Sequence, residues 1–430
     1  MKINVEILGG AREIGGENCV LIKTDKTTLM IDRGKRASQK GDSELVTPDK
    51  IDALMYTHGH LDHCGLAPEL YQALKGGFRN IMSPVTYEFA RSHWVTTLKM
   101  DERKGRTSSF SEKILYDMLV KAEKIHHGAE FEIGDIKVRA IGVGHILGSL
   151  GYHLTIGKTK IFISGDFSLG DTDNPHVPSF DTSFLKDNVN ILILNATYAG
   201  VESPMLEDEA DRFIADVKQY LQEERQILIP VFSIDRPQKV FYFLQQAGLE
   251  RHVYIDGGAR NWFQTFRILG NSDYKPPVDR FMSNLRDHEN FSGHVQGLRP
   301  VIIMASAGML LKKSKSYTWA NPMIEKDDAV IMFTGYQASD TPGANLLLAS
   351  RNGEKINWTG SEKVIKASVK QYKFSAHARS PEVTELIRIC NPSSTLFMHC
   401  ESPGIDKFIK DNSMLPGEMV IVENNKTYNF

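Results

Sequence analysis

The sequence predicts an α/β protein in which one α/β domain is inserted into another. Three observations predict it. Short β-rich stretches open the chain, and the chain looks β-rich again from residue 351. Between residues 204 and 350, helical and strand patterns alternate, which argues for a parallel sheet. No fixed-period repeat or low-complexity linker separates the stretches. A length of 430 residues suits two or three domains. The expected division is 1–203 and 351–430 for the outer domain and 204–350 for the insert.

In order, Ile3–Leu8, Cys19–Ile22 and Thr28–Ile31 read as short strands with Gly-rich or charged turns. The third ends in Asp32-Arg33-Gly34. Residues 51–56 read as a buried strand, and Thr57-His58-Gly59-His60-Leu61-Asp62-His63 follows it. Residues 84–125 are expected to be mostly helical, with Ile114, Leu115, Met118, Leu119 and Ala122 at spacings of three and four. Ile136–Ile141 is a strand that runs into Gly144-His145-Ile146-Leu147-Gly148-Ser149. A hairpin about Gly157-Lys158 ends in Gly165-Asp166-Phe167-Ser168, and strand Val189–Leu194 ends in Asn195-Ala196-Thr197-Tyr198. A helix then begins near Ser203-Pro204, with acidic residues in its first turns favourable for the helix dipole. Strands follow at Ile227–Phe232, His252–Ile255, Val301–Ala305 and Ala329–Phe333, with a helix after Pro237.

Composition excludes some classes. A hydrophobic fraction of 41% is too high for disorder. With 51 Lys+Arg against 53 Asp+Glu, net charge announces no nucleic-acid partner, so any basic contacts must be local. Cys19, Cys64, Cys390 and Cys400 form no C-x-x-C pair, and the expectation is reduced thiols in a cytoplasmic protein. No signal region or apolar run of membrane-spanning length is apparent, so no membrane partner is expected.

Residues 58–63 pack three imidazoles and a carboxylate into one strand-end loop, where open α/β sheets place their sites. Imidazole and carboxylate ligands suit zinc and other divalent first-row metals. His58 and His60 alternate with small residues and can point the same way. His58, His60 and His145 suffice for one zinc. Asp62 and His63 need one more protein ligand for a second metal, and Asp166 could bridge both. Two metals about 3.5–4 Å apart would activate water at neutral pH and clamp a phosphoryl group.

Those motifs, with Thr197-Tyr198, Pro230-Val231-Phe232, Gly308-Met309-Leu310, Thr334-Gly335-Tyr336-Gln337, Phe374-Ser375-Ala376-His377 and His399, resemble the metallo-β-lactamase superfamily. Nearly the whole chain resembles one branch, the β-CASP nucleases, and the Phe-Ser-Ala-His form is closer to RNA 3′-end cleavage factors than to RNase J. The resemblance implies an αββα sandwich with an inserted β-CASP cap. It implies a ribonuclease with two zinc ions per chain that leaves 5′-phosphate and 3′-hydroxyl ends. His58, His60 and His145 would hold one metal, and Asp62, His63 and His399 the other. Asp166 would bridge them, Asp32 would orient ligands from behind, and His377 would protonate the departing oxygen. Single-stranded RNA is the expected partner, with other RNA-processing proteins and a homodimer also in view. Arg236, Lys312 and Lys313 are the candidates for RNA phosphates.

The chain departs from the family pattern on the cap side of the cleft. Asn195 stands in place of an acid that would support His377, Asp235 in place of Gly, Arg379 in place of Asp, Cys400 in place of Gly, and Lys312-Lys313 in place of a Gly pair. Asn195 therefore motivates an alternative, a catalytically weak relative that binds RNA or scaffolds a processing complex. A small-molecule hydrolase on the same fold is a third reading, which the large insert disfavours. His93, His126, His127, His153, His176, His252, His288 and His294 match no motif and read as surface or satisfied core histidines.

Overall fold

The computed structural model describes residues 2–36, 45–170, 177–232, 234–269 and 301–430. His176, His288 and His294 lie outside the described residues. The chain forms two compact units. Described residues of the first fall within Met1–Thr172, Val177–Glu202 and Ala376–Phe430, and those of the second within Ser203–Ser375.

The first unit contains two seven-stranded sheets among the described residues. One is built from β1 (Asn4–Gly9), β2 (Cys19–Lys23), β3 (Thr28–Ile31), β4 (Ala53–Met55), β5 (Arg79–Met82) and β6 (Ala122–Lys124), with β21 (Lys426–Asn429) beside β1. The other runs β20-β19-β11-β10-β9-β8-β7. Here β7 is Glu130–Ile133, β8 Ile136–Gly142, β9 Leu150–Ile156, β10 Thr159–Ile163, β11 Ile191–Asn195, β19 Ser394–Met398 and β20 Glu418–Ile421. Alternate residues of both sheets, among them Ile22, Leu29, Leu154, Ile161 and Ile193, form one apolar core between them. Strand β11 is buried at every position, as expected of a parallel strand covered on both faces.

Helices cover the outer faces. Leu70, Ala90, Trp94 and Leu115 pack on the first sheet, and Val383, Leu386, Ile387 and Phe408 on the second. Local signals set the helix boundaries. Ser83 accepts from the Thr86 N–H, and Pro84 opens helix Pro84–Arg103. The expected helical stretch 84–125 is broken there, because Ser111 caps a second helix, Glu112–Val120, and 122–124 join the sheet edge.

The second unit has a five-stranded sheet in which every described pair is parallel, ordered β13-β14-β12-β15-β18. Its strands are β12 (Gln226–Val231), β13 (Val253–Asp256), β14 (Val301–Ser306), β15 (Ala329–Phe333) and β18 (Ser368–Gln371). A hairpin of β16 (Ile356–Trp358) and β17 (Ser361–Lys363) precedes the last strand. The return to the first unit therefore comes at Ala376, later than the expected residue 351. The cause is the pairing of β18 with β15, a long-range contact that short β-like runs do not announce. The C-terminal stretch also contains two helices, Ser380–Cys390 and Gly404–Asp411, among its strands. No helix among the described residues is long and apolar enough to cross a membrane.

Leu154 is fully buried in the sandwich. Leu154→Ala should destabilise the chain by about 2–5 kcal/mol, measured by urea unfolding, through lost burial and a residual cavity.

Candidate metal centre

Strands β3 and β4 are parallel, and so are β10, β11 and β19. Strand β8 runs in the same direction as β10, since each is antiparallel to β9. Asp32, His58 to His63, His145, Asp166 and His399 follow these strands, Asn195 is the last residue of β11, and they meet at one edge of the sandwich. Strained backbone marks two of the ends. Asp32 (φ 61°) and His399 (φ 53°) adopt the left-handed conformation, which costs a non-glycine residue about 1–2 kcal/mol. Gly165 (φ 56°) needs its missing side chain, because a Cβ there would lie 2.6 Å from Thr57 Cβ.

Asp32 organises the loop from below. Its Oδ1 accepts from the Thr57 N–H (2.7 Å), and its Oδ2 accepts from Thr57 Oγ1 (2.7 Å). His63 Nδ1 lies 2.7 Å from the same Oδ2. A carboxylate at Nδ1 fixes the proton on that nitrogen and leaves the Nε2 lone pair facing the centre. Nδ1 of His145 is likewise taken by the Ala376 carbonyl, at 2.8 Å.

Three overlapping groups of ligand atoms result among the described residues: His58, His60, His145 and Asp166; Asp62, His63 and His399; and Asp166, His377 and His399. In the first, His60 Nδ1 is 3.0 Å from His58 Nε2 and 3.4 Å from His145 Nε2. Asp166 Oδ2 lies 3.6 Å from each of those two Nε2 atoms. A tetrahedral zinc shell with bonds of about 2.0–2.1 Å sets neighbouring ligands about 3.3 Å apart, so these residues fit the ion. The orphaned oxygen argues the same way. Asp166 Oδ2 is buried without a hydrogen-bond partner, yet it is also 3.4 Å from His63 Nε2 and 3.5 Å from His377 Nδ1.

The second group fits less directly. Asp62 Oδ2 is 3.4 Å from His399 Nε2 and 3.8 Å from His63 Nε2. Protein donors approach the same nitrogens. The Gly15 N–H donates to His399 Nε2 (3.0 Å), and the Asn18 amide faces His63 Nε2 at 3.2 Å. An ion held there must displace both contacts.

Electrostatics divides the cluster similarly. Burial, with neighbouring imidazoles, drives the pKa of His58 and His145 well below the usual 6.5. Burial lowers His377 to about 4. Burial also opposes charge on His63 and His399, but carboxylates outweigh it. Asp166, Asp32 and Asp62 raise His63 well above 6.5, and Asp166 and Asp62 raise His399 to about 9. In turn, although burial disfavours their ionised forms, Asp62 and Asp166 are held below the usual carboxylate range, by His63 and His399 for the former and by His399, His377 and His63 for the latter.

Comparisons with known proteins agree with this geometry. Residues 12–194 match the metallo-β-lactamase superfamily, and residues 363–411 match the Zn-dependent metallo-hydrolase RNA specificity domain. The chain thus carries a metallo-β-lactamase superfamily domain and an RNA specificity domain. The chain is 26% identical to "Probable RNase MJ4" of Methanocaldococcus jannaschii, over 91% of its own length and 92% of the relative's. It is 24% identical to "RNase aCSPSF2" of Saccharolobus solfataricus, covering 96% of itself and 82% of that protein. It is 25% identical to "Cleavage and polyadenylation specificity factor 73" of Drosophila melanogaster, covering 93% of itself but only 60% of that protein. A crystal structure of a protein of unknown function from Enterococcus faecalis V583 shares the fold, with a TM-score of 0.64 at 13% identity and 100% of both chains covered.

The chain brings together Asp32, His58, His60, Asp62, His63, His145, Asp166, Asn195, His377 and His399 in its first unit. Arg236, Lys312 and Lys313 lie in the second unit. The Arg236 guanidinium donates to the Thr334 carbonyl, and Lys312 and Lys313 are exposed. One expectation is corrected. Asn195 does not support His377; its amide donates to Asp166 Oδ1 at 2.9 Å. Thr197 stands by His377 instead, with its hydroxyl 3.3 Å from His377 Nδ1 and 3.1 Å from His399 Nδ1. His93 is also reassigned. It lies near His60 and Asp62 and bonds the Gly59 backbone, and its Nε2 is buried without a hydrogen-bond partner. Spacing gives no sign of His93, which is on helix Pro84–Arg103. All four cysteines are buried and free, as expected.

The raised His399 sets a pH dependence for the metal-free chain. Its contribution is fully present below the unfolded value near 6.5 and is lost as pH rises through about 9. Urea unfolding in chelator should therefore show stability falling across that interval, and a flat profile would contradict the carboxylate contacts assigned to His399.

Proposed function

We propose that the chain is a metal-dependent ribonuclease of RNA processing or decay. It would hold two zinc ions and leave 5′-phosphate and 3′-hydroxyl ends. The observation that carries this reading is the bare Asp166 Oδ2 standing between the two groups of imidazole nitrogens. The match to an RNA specificity domain over residues 363–411 supports RNA as the substrate. His58, His60, His145 and Asp166 would hold one zinc, and Asp62, His63, His399 and Asp166 the other. Zinc bound there lowers the pKa of a water and polarises a phosphoryl oxygen.

The chain's own residues do the rest. Asp32 keeps the His63 proton on Nδ1, so that Nε2 can coordinate once the Asn18 amide is displaced. His377 is the proton donor to the departing 3′-oxygen. Its side chain is 23% exposed, against 1% or less for His58, His63, His145 and His399, so substrate can reach it. Thr197 faces Nδ1 of His377, which leaves the other ring nitrogen for the proton transfer. A water oxygen would form the new bond to phosphorus as the P–O3′ bond breaks, so the 2′-hydroxyl, whose attack would expel the 5′-oxygen, takes no part. The RNA backbone would meet basic groups of the second unit, with Lys312 and Lys313 the exposed candidates. Arg236 is a weaker one, since its guanidinium already has a carbonyl partner. The scaffold reading loses its motive, because Asn195 supports Asp166 rather than standing as a failed partner of His377.

Incubation of zinc-loaded protein with end-labelled single-stranded RNA should give 5′-phosphate products; 2′,3′-cyclic phosphate ends would overturn the mechanism. His377→Ala should slow cleavage by about 10²–10⁴-fold while zinc content stays unchanged. His60→Ala should lose both metal and cleavage, as read by elemental analysis. RNA affinity should fall with salt at about −0.7 in log K per phosphate contact.

A further inference from the structure

The end of β11 makes a contact that those roles leave unused. Asn195 is the last residue of the strand and only 5% exposed. Its backbone N–H donates to Ser164 Oγ at 3.2 Å. Ser164 directly follows β10, the parallel neighbour of β11, so the register places Asn195 beside Gly165-Asp166. The side-chain amide then reaches Asp166 Oδ1 at 2.9 Å. An ionised carboxylate only accepts hydrogen bonds, so the atom facing it is the amide NH2.

The two oxygens of Asp166 are consequently unequal. Oδ1 has Asn195 Nδ2 at 2.9 Å and His399 Nδ1 at 3.0 Å. Oδ2 has no hydrogen bond and stands 3.4–3.6 Å from nitrogens of His63, His377, His58 and His145. Holding one oxygen of a rigid planar group fixes where the other points.

We propose that Asn195 is a positioning residue for the metal centre, holding Asp166 by Oδ1 so that Oδ2 is presented to both groups of ligands. This inference rests on the metal-dependent reading above. The residue type suits the role. An amide supplies a donor without charge, whereas an acid at 2.9 Å would need a proton or cation shared with Asp166, and an apolar side chain supplies no donor. Partners that orient ligands from outside the coordination sphere typically change metal affinity by about 10–100-fold when removed.

The test uses two variants of the full chain. Asn195→Leu keeps the volume and removes the donor, and Asn195→Ser keeps polarity but falls short of Asp166. Zinc retention is measured by competition with a chelator, and RNA cleavage at limiting and at excess zinc. Both variants should retain zinc about 10–100-fold less tightly than wild type. Excess zinc should restore their cleavage, whereas it should not restore His377→Ala. A folded variant that holds zinc like wild type overturns the positioning role alone. So does a loss of cleavage that excess zinc does not repair. Wild-type protein that binds no zinc overturns the metal-dependent reading, and this inference with it. Should Leu not fold, Ser decides by the same measurement.

Discussion

An ionised carboxylate oxygen buried without a hydrogen bond is costly, and Asp166 Oδ2 is such an atom. The rest of the first unit is arranged around tolerating it. Its position is fixed by the end of β10, and the groups facing it come from the loops after β4 and β8 and from His377. Those loops can converge only because the strands end at one edge of a sandwich whose core is continuous from sheet to sheet. A close-packed interior transmits such constraints without slack. The left-handed backbone at Asp32 and His399 is stored where two strand ends turn toward the same point.

The cluster is not uniform in charge. Burial keeps His58 and His145 neutral, which is the form that ligates metal. His63 and His399 face carboxylates closely enough to be drawn toward the charged form. In the metal-free chain, those carboxylates favour protons on the two imidazoles, against the Gly15 and Asn18 donors that face their Nε2 atoms. Metal and proton thus compete for one half of the centre far more than for the other.

Much of this was legible in the sequence because the chemistry is local. Residues 58–63 concentrate ligands in one loop, and His145 and Asp166 each follow a strand with Gly-flanked turns. The αββα sandwich came from the family resemblance, and the parallel second sheet from the alternation of helix and strand. What stayed hidden depends on pairing across the chain. The partner of Asn195 is set by the register of β11 on β10, and a family pattern pointed to His377 instead. The place of His93 depends on how helix Pro84–Arg103 lies against the ligand loop. Residues 351–375 belong with the second unit because β18 finds β15, and nothing within that stretch names its partner.

The amide at position 195 also bears on the charge balance of the centre. Asp32, Asp62 and Asp166 already bring three buried or nearly buried carboxylates together. An acid at 195 would add a fourth negative group against Asp166, in surroundings where screening by water is weak. Asn supplies the same hydrogen-bonding reach with no added charge. It donates to the one oxygen that His399 also faces, so donors gather on Oδ1 and Oδ2 remains bare. The substitution that reads in the sequence as a missing acid is, in the structure, a neutral donor. It shapes the Asp166 carboxylate without adding to the repulsion that the imidazoles must offset.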